Sequence, residues 1–62
     1  MALMRRSTRK LQGLGIDLQV RKGMYGYSLY DPTLCKQKSV VYNTIRETIA
    51  AAISGERPQP QN

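Results

Sequence analysis

The side chains with chemistry to offer are cationic and amidic. Arg5, Arg6, Arg9 and Lys10 crowd one short run; Gln19, Arg21 and Lys22 follow, then Ser28, and later Lys36 and Lys38. Guanidinium and ammonium groups donate to phosphate oxygens. Arg and Gln can also read base edges in bidentate fashion, Arg at guanine and Gln at adenine. Ten Lys or Arg against four Asp or Glu give a formal net charge of +6 on 62 residues. So dense a field on a short chain attracts polyanions, chiefly nucleic acid or an acidic membrane surface.

Catalytic chemistry finds little support. The chain has no histidine, and its four acids are Asp17, Asp31, Glu47 and Glu56. Asp31 is placed for a turn and Glu47 for a helix cap, which leaves no paired carboxylates for acid–base work. No glycine-rich phosphate loop is visible, and Tyr25, Tyr27, Tyr30 and Tyr42 read as sheet and core packing. The expectation is a non-catalytic module without cofactor or metal. Cys35 is the single cysteine, so neither an internal disulfide nor a zinc ligand set is available; a reducing, cytoplasmic setting fits. No apolar run approaches the ~20 residues that span a bilayer, and no apolar stretch follows the basic lead-in as it would in a secretory signal.

Elements must hold those cations in place. Residues 1–10 (MALMRRSTRK) show no periodicity and read as a flexible basic arm that can follow a DNA backbone or enter a minor groove. Leu11 to Gly15 reads as a turning connection. In Ile16 to Lys22, Ile16, Leu18 and Val20 alternate with Asp17, Gln19 and Arg21, the pattern of a half-buried strand. A turn at Lys22-Gly23, with Gly23 supplying positive φ, would pair Val20 with Tyr25, Leu18 with Tyr27 and Ile16 with Leu29. That register places all six on one face and leaves Asp17, Gln19, Arg21, Ser28 and Tyr30 on the other.

Asp31-Pro32-Thr33 signals a second turn, and Leu34 to Tyr42 can return as a third strand whose register depends on whether Val40 or Val41 is buried. Thr44 and Glu47 fit a capping box. Ile45, Ile49 and Ile53 recur every four residues, and Gly55 suits the residue after a helix end. A helix over about 44–54 is too short to be stable alone in water, so its isoleucines must cover the apolar sheet face. The predicted fold is α+β: a three-stranded antiparallel sheet packed on one C-terminal helix, with the β-β-β-α domain at 11–55 and a polar linker or tail at 56–62. A ribbon–helix–helix arrangement needs two helices after one strand, and only one helical segment follows here.

This ordered set of patterns resembles the N-terminal arm-type DNA-binding domain of lambda-type phage integrases, in the tyrosine recombinase family. The resemblance rests on Arg5-Arg6-Ser7 in a basic lead-in, Leu18-Gln19-Val20-Arg21 before a turn, and the aromatic strand Tyr25-Gly26-Tyr27-Ser28-Leu29-Tyr30 running into Asp31-Pro32. Lys36-Gln37-Lys38 and the closing segment Thr44 to Gly55 complete it, so it spans about residues 5–55. The family has Thr-Gly in the second turn where this chain has Leu34-Cys35. The resemblance implies a sheet in the major groove of arm-type sites, a basic tail near the minor groove, and contacts with neighbouring integrase protomers and accessory DNA-bending proteins. Carried over by position, it implicates Arg5, Arg6, Arg9, Gln19, Arg21, Lys36 and Lys38. The Arg, His and Tyr constellation of the recombinase catalytic domain is absent from this chain, so the module is either part of a longer integrase or a free-standing protein that reuses it.

The site expected from residues and resemblance together is Arg5, Arg6, Arg9, Lys10, Gln19, Arg21, Lys22, Ser28, Lys36 and Lys38, with double-stranded DNA as partner and no membrane. The alternative reading is a small phage-encoded protein-interaction module that binds or inhibits a host protein, its exposed tyrosines serving as anchors.

Overall fold

The computed structural model describes residues 2–37 and 40–58. The elements run β1 (Ala2–Leu3), α1 (Arg5–Gly13), β2 (Gln19–Gly23), β3 (Gly26–Asp31), β4 (Lys36–Gln37) and α2 (Ile45–Ile53). The sheet is antiparallel, in the order β1-β2-β3-β4. Both helices pack on the same side of it, around Leu11, Leu18, Val20, Leu29 and Ala52. The α+β class, with a β2–β3–β4 sheet and a C-terminal helix, is as the sequence predicts.

The N-terminal segment overturns the expectation of a flexible arm. Arg5, Arg6, Arg9 and Lys10 lie on α1, and Ala2–Leu3 adds an edge strand to β2. The Met4 amide donates to Val20 O at 2.8 Å, and Val20 N donates to Thr8 Oγ1 at 3.1 Å. Both polar groups of Val20 are thereby satisfied by the N-terminal segment, which closes the edge of β2 beyond β1. Met4, Thr8 and Leu11 are spaced to face one way on a helix. Leu11 is fully buried at the centre of the core. The stripe escaped a search for apolar periodicity because its middle member is a threonine. The Leu11–Gly15 connection is the end of this helix: Ile16 N donates to Leu11 O and Gly15 N to Gln12 O, with Gly15 at φ +80°. That is a Schellman closure.

The β2–β3 hairpin keeps the predicted faces and moves the turn. Val20 pairs with Leu29, Lys22 with Tyr27 and Gly23 with Gly26, so the turn is Met24-Tyr25. A turn displaced by two residues preserves side-chain parity, so Leu18, Val20 and Leu29 still point into the core. Tyr25 leaves the predicted inner face and is 83% exposed at the tip. Positive φ belongs to Gly26 (+142°), not Gly23. A Cβ on Gly26 would stand 2.5 Å from Tyr42 O and 2.8 Å from Val41 Cγ1. The returning chain is thus pressed against Gly26, and Tyr27 and Tyr42 exchange backbone hydrogen bonds at 2.8 and 2.7 Å. These contacts and the Val20 bonds hold β3 and β2 from their two edges, and together they select the register.

The third strand is shorter than predicted. Asp31 Oδ1 accepts from Thr33 N (2.9 Å) and Leu34 N (3.3 Å), which shapes the expected Asp-Pro turn. Lys36 pairs with Asp31 and Gln37 with Tyr30. The next described pairing is Tyr27 with Tyr42. Neither Val40 nor Val41 is buried; Tyr42 packs against the core instead.

In α2, Thr44 Oγ1 accepts from Glu47 N at 3.1 Å, as the capping pattern predicts. The helix ends on a second Schellman closure, with Gly55 N donating to Ala52 O, Glu56 N to Ala51 O, and Gly55 at φ +98°. The buried face is Thr48 and Ala52, flanked by Ile49, while Ile53 is exposed. A repeat of four residues drifts ~40° per step on a helix of 3.6 residues per turn, which carries Ile53 off the face. Thr48 tolerates full burial because its hydroxyl donates to Thr44 O at 2.8 Å.

Candidate nucleic-acid interface

The outer face of the sheet, away from both helices, carries a connected polar group. Gln19 and Tyr30 are directly paired across β2 and β3. Arg21 donates from Nε (3.1 Å) and Nη2 (2.9 Å) to Gln19 Oε1, and its Cζ lies 3.7 Å from the Tyr30 ring centroid. A guanidinium stacked on an aromatic ring gains about 0.5–1 kcal/mol at an exposed site. More to the point, it is held flat before any ligand arrives, with donors on Nη1 and Nη2 still free. Gln19 has its carbonyl oxygen occupied and offers its NH₂. Bidentate adenine readout needs both halves of a Gln amide, so the expected Gln19–adenine pairing would require breaking the bonds to Arg21. As folded, the pair presents donors, which suits guanine edges and phosphates.

The Tyr30 phenol is held above its ordinary value, first by desolvation, then by a hydrogen bond with Cys35 and the charge of that thiol; Arg21 pulls the other way. Gln37, opposite Tyr30 on β4, extends the row to a third strand and is exposed. Sequence reasoning passed over Gln37 for its lysine neighbours. The Asp31–Lys36 and Tyr30–Gln37 pairs show that Gln37 takes the place beside Tyr30.

The other expected residues divide. Arg5, Arg6, Arg9 and Lys10 are all exposed, along the side of α1 opposite buried Ser7, Thr8 and Leu11. The helix contains no carboxylate, and its N-cap Met4 makes no side-chain capping bond. Cations in a first turn oppose the helix dipole, so Arg5 and Arg6 gain nothing locally from their positions. Lys22 pairs with Tyr27 on the helix-side parity of the sheet, its Nζ 5.7 Å from the Tyr27 ring centroid, apart from the Arg21 group. Ser28 has the predicted outward parity but is only 2% exposed. The returning chain carries Val41 against the outer side of neighbouring Gly26, and Ser28 is buried and is no surface contact. Lys36 is in β4 opposite Asp31. Lys38 lies outside the described residues.

What joins helix and sheet is a groove of about 290 Å³ lined by Leu3, Arg5, Thr8, Arg9, Gln12 and Gln19. Gln19 belongs both to this groove and to the Arg21–Tyr30 group. The groove therefore brings Arg5, Arg9 and Gln12 of α1 beside Gln19 of the sheet, a juxtaposition that only the docking of α1 creates. Among the described residues no His, Cys, Asp and Glu cluster could hold a metal ion, and no helix is long and apolar enough to cross a membrane. No protein-family model, curated protein or solved structure matches the chain.

Proposed function

We propose that this protein binds double-stranded DNA without catalysing a reaction on it. The cations of α1 grip backbone phosphates while Arg21 and Gln19 address base edges in the major groove. The supporting observation is the shared position of Gln19, which bonds Arg21 on the sheet and lines the groove that contains Arg5 and Arg9. With the resemblance read from the sequence, the proposed setting is the arm-site-binding module of a phage integrase in site-specific recombination. There it would act in the bacterial cytoplasm beside other integrase protomers and DNA-bending proteins.

The test is a fluorescence-anisotropy titration of candidate arm-type and unrelated duplexes at two salt concentrations. Neutralising five phosphates gives a slope of log K against log salt of about −4.5. Arg21→Ala is expected to relax preference at one base pair, worth ~1–3 kcal/mol. Equal affinity for all duplexes, unmoved by Arg21→Ala, would remove the sequence-reading role. Affinity insensitive to salt would remove the phosphate contacts.

One observation favours the protein-interaction alternative. Met24 and Tyr25 at the hairpin tip are 89% and 83% exposed, an apolar point suited to a partner's pocket. In that reading Tyr25→Ala abolishes binding to a host protein and leaves duplex affinity unchanged.

A further inference from the structure

The groove between α1 and the edge of β2 has a donor set of its own. Arg5 and Arg9 are one turn apart, and Gln12 follows on the same side. Gln19 closes the groove from the strand, and Leu3 and Thr8 complete the lining. No carboxylate lines it. Gln19 Oε1 is occupied by Arg21, so Gln19 can offer the groove only its amide hydrogens. The Thr8 oxygen is used by Val20 N, which leaves its hydroxyl proton to donate. Two arginines, two glutamines and a threonine thus line one groove, and their side chains carry the donors that a tetrahedral, many-acceptor anion would match. A volume near 290 Å³ sits at the lower limit of small-molecule pockets. It suits one phosphate with adjoining sugar atoms rather than a whole cofactor.

We infer that this groove is a phosphate-binding site, and that in the duplex complex it takes a single backbone phosphate, setting the register in which Arg21 meets the bases. The site itself stands on its lining. Only the source of the phosphate rests on the duplex-binding reading. A free phosphorylated small molecule would present the same chemistry.

The experiment follows the Arg Nε–H and Gln side-chain amide signals of the full chain by NMR. Three titrants are used: inorganic phosphate, a short duplex, and the same duplex with neutral methylphosphonate linkages. Two charge-matched variants accompany them, Arg5→Gln/Arg9→Gln in the groove and Arg6→Gln/Lys10→Gln on the same helix outside it. All four substitutions are at exposed helix positions, and Gln keeps helix propensity.

The expected result is saturable movement of the Arg5, Arg9, Gln12 and Gln19 signals with phosphate and with the natural duplex, and loss of that movement with the neutral backbone. The groove variant should abolish saturation by phosphate and reduce the salt slope for duplex by about 0.9, the share of one neutralised phosphate; the other variant should leave phosphate saturation intact. Saturation by phosphate with no duplex binding would keep the site, assign it to a small phosphorylated ligand and end the duplex reading. Failure of phosphate to move these signals, duplex binding that bypasses them, or equal loss of phosphate saturation in both variants would overturn the site.

Discussion

Replacing Thr8 with Val tests the docking of α1 at a single atom. Valine has nearly the shape of threonine and the same branching at Cβ, so volume and helix propensity barely change. What disappears is the acceptor for Val20 N, a 3.1 Å bond between a residue 6% exposed and one fully buried. Leaving a buried backbone N–H unpaired costs about 1–3 kcal/mol, against which the added methyl recovers up to ~0.8 kcal/mol. At the middle of that range the net loss is roughly 1–2 kcal/mol. A domain of this length has a total stability of about 3–9 kcal/mol, so the variant should still fold. With ~4–8 °C per kcal/mol at this size, Tm should fall by about 4–16 °C. Thermal and urea unfolding followed by circular dichroism measures the loss, and hydrogen exchange localises it, because the Val20 amide should lose protection. A flexible basic arm makes the opposite forecast, since Thr8 would then touch nothing. An unchanged Tm with an unchanged Val20 exchange rate would refute the docked helix, and with it the groove between α1 and β2.

Three further outcomes check other parts of the structure. Cys35 carries φ +51° in the second turn, where an L side chain costs about 1–2 kcal/mol. Cys35→Gly should raise stability by ~0.5–1 kcal/mol in urea unfolding after the entropic cost of glycine. Gly26→Ala places a Cβ 2.5 Å from Tyr42 O at φ +142°. It should cost at least ~2 kcal/mol and release the Tyr27–Tyr42 amides to exchange. The raised Tyr30 phenol means the folded state holds its proton more tightly than the unfolded chain. Its contribution to stability is therefore complete below the ordinary tyrosine value of 10.0 and declines as pH rises through the higher folded value. Wild type should thus lose more stability than Tyr30→Phe across that alkaline window, as compared by urea midpoints.

Much of this architecture is local, and what is local can be read from residues. The alternation of Ile16, Leu18 and Val20 with Asp17, Gln19 and Arg21 assigns the faces of the hairpin wherever the turn falls, because parity survives a shift by two. Asp31 shapes its turn through bonds to residues two and three positions on. Thr44 caps a helix that Gly55 ends. These depend on neighbours in the chain, and the neighbours are written beside them.

The remainder depended on partners far away in sequence. Thr8 looks like a break in a helical stripe until Val20 supplies its donor, so an ordered helix passed for a loose arm. The turn falls at Met24-Tyr25, where the returning chain presses on Gly26, and Ser28 of the same strand is buried. The candidate binding surface belongs to this second group as well. The positive charge is plain in the composition, but bringing Arg5 and Arg9 beside Gln19 requires α1 to lie along the edge of β2, where Gln19 lines the helix groove and bonds Arg21. Polar groups satisfied across long loops leave no periodic trace, and it is through such groups that this small core and its candidate site are joined.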